Sequence, residues 1–324
     1  MTSLSLVLRV LLAAASTLLG TPASPRIERA ERWVGRRVLI RFGTVLHQGE
    51  MVIDERLDAS PSGRKRRVVR VYRVEKAEGD RLWLRAERGG ARGWVGAGEV
   101  VPLDEAVAIF SEELRACPDD AAIYLDRAAA RADAGDYAGA VADSDAAVRL
   151  DPSSEVAHVC RGNFLVATGD LARALADFDE ALRLDPGYAL AHYARGFALV
   201  MRGEFARALA DFDDSARLDP HDPAAPRARA WLLATCPDPS LRDPARAVAS
   251  ATLACELTDW SDPPSLGALA ASCAATGDFD AAVAHQEKAA SLRPEGAGRA
   301  ESFRRLALYR DGRPYSDPPD VATA

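Results

Sequence analysis

An interval of 34 residues recurs through the middle of this chain and limits its fold more than any other feature of the sequence. The residues that keep this interval are prolines and alanines: Pro118, Pro152, Pro186 and Pro220, and Ala106, Ala140, Ala174 and Ala208. The phrases AVRLDP, ALRLDP and SARLDP end three successive units. A fixed period of this length indicates one supersecondary unit stacked on copies of itself.

Each unit carries the pattern of two closely packed helices. Small residues recur at the eighth position of the unit, where two helices would cross, in Ala128, Gly162 and Gly196. A glycine suited to the left-handed end of the first helix follows, and an Asp-Pro pair closes the second helix. This pattern resembles that of the tetratricopeptide family. The resemblance implies an all-α solenoid that binds other proteins.

We predict a helical array over residues 104–294. It comprises a half repeat, five full repeats and a capping helix, with the bounds 104–118; 121–154, 155–188, 189–222, 223–262 and 263–296; and 297–310. The repeat 223–262 is predicted to have a longer turn between its helices. Residues 311–324 are rich in proline and predict a loose tail.

The segment 31–102 has a period of two, in which β-branched and aromatic residues alternate with charged ones between glycine-containing turns. Such alternation predicts half-buried strands. The phrases VYRVEKAEGDRLWLRAE and GWVGAGEVVPLDEA resemble bacterial Src-homology-3-like barrels. We therefore predict a multidomain chain with a small all-β barrel ahead of the array. The proline-rich peptide binding of eukaryotic relatives is not carried over, because their tyrosine-rich face is missing.

Residues 1–23 combine one arginine, an apolar run and small residues at Thr21 and Ala23. This order predicts a signal peptide, and hence an exported protein of the periplasm or cell envelope. A leader on a cytoplasmic protein is the alternative. The apolar run is too short to span a bilayer, so we expect no integral membrane span in the mature chain.

Charge is divided unevenly between the two predicted domains. Residues 25–102 hold 18 basic and 11 acidic side chains, whereas the chain from Leu103 onward holds 22 basic and 37 acidic ones. Nucleic-acid binding requires basic side chains that neutralise phosphates, so we expect no nucleic-acid partner for the acidic array. The basic run 64–67 fits a solvated loop, with a polyanion site as the alternative.

Arginines at the seventh position of the units are matched by aspartates at the twenty-third: Arg127, Arg161, Arg195 and Arg229, and Asp143, Asp177 and Asp211. We expect a ladder of ion pairs between helices, with an anion site as the alternative. His158 and His192 share the fourth position. They could pack between helices or form a two-histidine metal site, but no third ligand is evident, and we predict no metal.

The inner face of the array is predicted from five positions of each first helix. These positions form an apolar groove with aromatic anchors, lined by Val159, Asn163, Val166, Tyr193, Phe197, Val200, Met201, Arg227 and Trp231. Such a groove suits an extended or helical peptide, unless another part of this chain fills it. Some family members clamp a carboxylate with lysines and asparagines, but Asn163 alone matches that pattern, so this mode is not carried over.

The sequence contains no P-loop, HExxH, GxSxG or dinucleotide-binding motif. We therefore predict no catalytic residue, no enzyme activity and no cofactor. The predicted function is a scaffold or adaptor that binds a segment of another protein in the groove. The alternative is a cell-wall or glycan-associated module in which the barrel binds and the array is a spacer.

Cleavage of the leader would leave a mature chain that begins near Ser24. We expect N-terminal sequencing of the protein purified from its native cells to start at that residue. A sequence that begins at Met1 or Thr2 would contradict export by this route.

Overall fold

The computed structural model describes residues 34–40, 47–48, 51–52, 71–79, 81–86, 92–293 and 295–315. The predicted leader, the basic run 64–67 and residues 316–324 lie outside these ranges. Within them, seven strands precede twelve α-helices. The described part of the chain is therefore a small sheet followed by a helical array.

The strands form one antiparallel sheet. Their bounds are β1 Arg37–Ile40, β2 His47–Gln48, β3 Met51–Val52, β4 Val71–Glu78, β5 Arg81–Ala86, β6 Arg92–Gly96 and β7 Val100–Pro102. The spatial order is β3-β2-β6-β5-β4-β1-β7, and within the described ranges β3 and β7 each pair on one side only. The sheet is open there, so the closed barrel that the sequence predicts is not shown.

Alternation along β4 and β5 buries one face of the sheet. Tyr72 and Val74 lie in its core with Leu82 and Leu84, while Arg73 between them is exposed. Successive side chains of a strand point to opposite faces, and this is the period from which the strands were predicted. One buried face is enough to fix the register of the pairs.

The helices follow in pairs. Their bounds are α1 Ala106–Ala116, α2 Ala121–Asp133, α3 Tyr137–Leu150, α4 Glu155–Thr168, α5 Leu171–Leu184, α6 Ala189–Met201, α7 Phe205–Leu218, α8 Ala224–Thr235, α9 Pro244–Glu256, α10 Pro263–Thr276, α11 Phe279–Leu292 and α12 Ala297–Arg310. Helices α2 to α11 form five consecutive hairpins, with α1 against the first and α12 against the last. The array is an α-solenoid.

Glycines shape the hairpins in two ways. The first helix of four hairpins ends at a left-handed glycine with φ between 79° and 86°: Gly135, Gly169, Gly203 and Gly277. Glycine adopts this conformation without the steric cost that a Cβ would bring. Where helices cross, a Cβ on Gly162 would lie 2.5 Å from Cε1 of Phe178. The eighth position is small because an aromatic ring fills the space.

An arginine ladder joins the hairpins to one another. Arg161 donates through Nε and Nη2 to both oxygens of Asp177, at 2.8 and 2.6 Å, and through Nη1 to Asp145 of the preceding unit at 2.9 Å. Arg195 makes the same three bonds one unit later. The predicted ladder is confirmed. The bond to the preceding unit was not predicted, and it ties neighbouring units together.

The ladder changes at its two ends. Arg127 pairs with Asp143 and donates to Ser111 of α1, so the half repeat takes the place of a preceding unit. Arg229 bonds Asp213 behind it, but ahead of it meets Ser250 instead of an aspartate, with 3.0 Å between Nε and Oγ. The fourth hairpin, with its longer turn, is therefore joined without the buried ion pair of the others.

The sheet rests directly on the start of the array. Leu39 of β1 and Val101 of β7 pack with Phe110 of α1. Beside this apolar contact, Arg37 donates to both oxygens of Asp133 at 2.8 and 2.5 Å. The sheet thus covers the apolar side of the first helices, which an array must shield from water at each end.

We expect Asp211→Ala to destabilise the array by about 3 kcal/mol, because it leaves the half-buried guanidinium of Arg195 without its main partner. Asp214→Ala is the control, since Asp214 is half-exposed and pairs only with exposed Arg217. Urea denaturation followed by circular dichroism measures both variants. Equal midpoints for the two would contradict a structural role for the ladder.

Candidate functional site

The first helices of the hairpins lie on the inner side of the array. Helix α2 packs on α4, α4 on α6, and α8 on α10, whereas second helices such as α5 and α7 lie farther apart. A stack of hairpins curves toward the side on which its elements are closer together. The predicted groove residues therefore belong to the concave face.

Helix α6 presents a row of accessible apolar side chains on this face. Tyr193, Phe197 and Val200 are half-buried, and Met201 is 37% exposed. The ring of Tyr193 leans on Phe212 of the core, with 6.0 Å between ring centroids. Packing from below holds the aromatic ring in place while its outer surface stays open to a ligand.

Helix α4 contributes less than the sequence predicts. Asn163 is exposed and Val166 is half-buried, but Val159 is only 1% exposed and belongs to the core. Val159 stands at the same position of its unit as Tyr193, and the difference lies in side-chain length, because a valine ends below the surface that a tyrosine reaches. We call Asn163, Val166, Tyr193, Phe197, Val200 and Met201 the central groove.

The C-terminal part of the chain covers the remaining two predicted residues. The ring of Trp231 lies 5.6 Å from that of Tyr315, and the guanidinium carbon of Arg305 lies 4.5 Å and 5.0 Å from the two ring centroids. Arg227 pairs with Asp262 at 3.5 Å. The concave face is therefore filled intramolecularly at its C-terminal end and open at the central groove.

Sequence reasoning missed the residues that do the covering. Tyr315 falls in the segment that was predicted to be a loose tail, and Arg305 in a helix that was predicted only to cap the array. A single aromatic residue in an otherwise polar, proline-rich tail was the one signal available. Its partner Trp231 is too distant in sequence for any local pattern to connect the two.

One group of side chains has the composition of a metal site. Ligand atoms of His192, Asp211 and Asp214 lie within 4.8 Å of one another. However, Arg195 donates to both oxygens of Asp211, at 2.9 and 2.8 Å. A cation would have to replace that guanidinium. In the described residues this group is thus part of the arginine ladder, as in the structural interpretation of the histidines.

The equivalent group in the preceding unit has shifted proton affinities. The hydrogen bond to Asp177 raises the pKa of His158, and burial opposes that shift only in part. Burial would raise the pKa of Asp177, but bonds from Arg161 and His158 outweigh it and lower that pKa. The opposed shifts describe a protonated histidine beside an ionised aspartate.

Two family models, both described as tetratricopeptide repeat, match residues 161–223 and 263–295. The chain contains tetratricopeptide repeats. These repeats bind other proteins, and they act in general as non-catalytic scaffolds. A search of the curated proteins finds no significant match.

Solved structures show the same tetratricopeptide fold. The APC/C hetero-tetramer Cut9–Hcn1 is 15% identical with a TM-score of 0.55, over 63% of this chain and 39% of that one. Yeast Tom70 is 19% identical with a TM-score of 0.52, over 63% and 43%. YrrB, described as a TPR protein with an unusual peptide-binding site, is 20% identical with a TM-score of 0.44, over 60% and 97%. This chain thus spans less than half of the two larger proteins.

Membrane insertion of the repeats can be judged from helix length and polarity. None of the helices within the described ranges is both long and apolar enough to cross a bilayer.

We expect His158→Gln to cost more stability at pH 5.5 than at pH 8.5. Because folding raises the pKa of His158, its contribution is complete below the unfolded value of about 6.5 and is lost as the pH rises through the folded value. Urea midpoints at the two pH values test this. His221→Gln, at an exposed site, should change neither midpoint, and an equal cost of His158→Gln at both pH values would contradict the assignment.

Proposed function

We propose that this protein is a non-catalytic scaffold that binds a peptide or helical segment of another protein in the central groove. One observation carries the proposal: the accessible aromatic and aliphatic side chains between Tyr193 and Met201 lie together on the concave side of a tetratricopeptide array. Scattered apolar residues on a surface need no explanation, but a continuous patch of them favours a contact site.

The chemistry of the groove suits a peptide. Tyr193 is held by Phe212 and loses little conformational entropy on binding, which is the property of an anchor residue. Asn163 beside it is exposed and has an amide that can both donate to and accept from a peptide backbone. Apolar anchors with one adaptable polar group fit an extended or helical segment better than a small ligand.

The open part of the face limits the length of the bound segment. Helix α6 runs from Ala189 to Met201, a rise of about 20 Å. An extended chain covers this distance with about six residues, and a helix with about thirteen. We therefore propose a short linear motif rather than a folded domain as the ligand.

The remaining sequence-based expectations complete the proposal. We propose that the sheet closes into a Src-homology-3-like barrel through residues outside the described ranges, and that the chain is exported. The basic sheet would then stand at one end of an acidic array, next to α1 and away from the central groove. The two domains could bind different partners at once.

A matched pair of variants tests the groove. Tyr193→Ala/Met201→Ala removes two of its apolar side chains. Tyr137→Ala/Leu150→Ala removes a similar pair from second helix α3, where both residues are about 40% exposed. Prey captured by the wild type from native lysate would be identified by mass spectrometry, purified and titrated against each variant. Circular dichroism confirms that both variants fold.

We expect the groove variant to lose roughly a hundredfold in affinity for this prey, the cost of about 3 kcal/mol for two anchors. The α3 variant should bind like the wild type. Equal affinity for all three proteins would overturn the groove as the binding surface and favour binding by the sheet. Capture of no prey by the wild type would overturn the scaffold proposal.

A further inference from the structure

We propose that the C-terminal end of the concave face holds a carboxylate-binding site, formed by Arg227, Arg293 and Arg305, for an acidic side chain of the bound protein segment. We call these residues the arginine cluster. The inference rests on the proposed function only for the source of the carboxylate. It predicts that the preferred ligand places an acidic residue beside the apolar residues that enter the central groove.

The three arginines come from separate elements and meet in one place. Arg227 lies on α8, Arg293 directly follows α11, and Arg305 lies on α12. Burial lowers the pKa of Arg293, and the positive charges of Arg305 and Arg227 act in the same direction. Three guanidinium groups that affect one another in this way have brought like charges together, which is unfavourable without an anion between them.

The carboxylates of the chain compensate this charge only in part. Asp262 lies 3.5 Å from Arg227, but its Oδ2 also accepts from the backbone N and the hydroxyl of Ser265 at the start of α10. Glu301 accepts from Nε of Arg305 at 3.0 Å and is shared with Arg304. Arg293 forms no ion pair within the described ranges, although its side chain is half-buried.

Hydrogen-bond donors without acceptors surround the same place. Trp231 Nε1, Arg293 Nε and the hydroxyl of Tyr309 are buried and have no partner among the residues that the structure describes. Tyr309 is 1% exposed. Burial raises the pKa of its phenol, and the charge of Arg305 opposes this shift, so the two groups are neighbours. Buried donors in native proteins almost always have an acceptor, and here the acceptor is missing.

Arg305 has the geometry to bind a carboxylate. Its guanidinium is held between the rings of Trp231 and Tyr315, and its Nε is taken by Glu301. Its two terminal nitrogens make no hydrogen bond to any described residue. A planar guanidinium fixed in this way can donate two parallel bonds to a carboxylate, which adds specificity as well as affinity.

Charge and position favour a single acidic residue over a polyanion. The chain from Leu103 onward carries 37 acidic against 22 basic residues, so its field repels nucleic acid and other extended anions. Trp231 lies on α8, two helices after the α6 side chains of the central groove. One bound segment of about ten residues can therefore reach from the central groove to the arginine cluster.

The experiment uses two labelled pools of peptides of about twelve residues, in which the other positions are randomised among Ala, Leu, Val and Tyr. One pool has glutamate at every third position, and the other has glutamine there. Fluorescence anisotropy measures binding of each pool to the full chain. We expect the glutamate pool to bind at least tenfold tighter than the glutamine pool.

Variants locate this preference. Arg305→Gln, and separately Arg227→Gln in case the first does not fold, should abolish it, while binding of the glutamine pool is unchanged. Arg310→Gln is the matched control, because this exposed arginine of the same helix pairs with Glu287 outside the cluster. Tyr193→Ala should weaken both pools alike, which separates a failure of the central groove from a failure of the arginine cluster.

Three results would overturn the inference. The first is equal affinity for the two pools with the wild type, which leaves the groove proposal intact if Tyr193→Ala weakens both. The second is a glutamate preference that survives both arginine variants. The third is a preference that appears only in Asp317→Asn/Asp320→Asn, since the site would then be taken by aspartates of the chain itself rather than by a partner.

Discussion

The arrangement of this array depends on one repeated interaction, the arginine at the seventh position of each unit. Arg161 binds an aspartate of its own hairpin and another of the preceding hairpin, and Arg195 repeats both contacts. The aspartates within the hairpins are buried, so a missing partner would leave a charge without water or counter-charge. Helices that pack on small residues could slide, but a bidentate ion pair at every junction fixes the position of each unit relative to the last.

The fixed stacking gives the concave face, and departures from it divide that face into two parts. Up to the third hairpin the ladder is regular, and the first helices present the open apolar side chains of the central groove. At the fourth hairpin Ser250 replaces the buried aspartate. Beyond this point the chain covers its own surface, because α12 and Tyr315 return to Trp231. The open part suits an apolar segment, and the covered part gathers cationic and hydrogen-bonding groups.

The other end of the array is closed by the sheet. Strands β1 and β7 have apolar residues on both faces, so that Val38 enters the core of the sheet while Leu39 packs against α1. The ion pair between Arg37 and Asp133 adds a directed contact. The sheet therefore replaces the missing first helix of the half repeat. An acidic array that is closed at both ends leaves its middle as the accessible part of the concave face.

The sequence by itself determined the local relations: the helix pairs, their glycine turns, the small crossing positions and the pairing of Arg161 with Asp177. Each of these joins residues within one repeat, and a period of 34 residues displays such relations directly. Only the tertiary structure decided which groove positions stay open. Val159 and Tyr193 occupy equivalent positions, yet side-chain length buries one and exposes the other. Tyr315 reaches Trp231 through the accumulated curvature of two units, and a contact made once between distant segments leaves no periodic trace in the sequence.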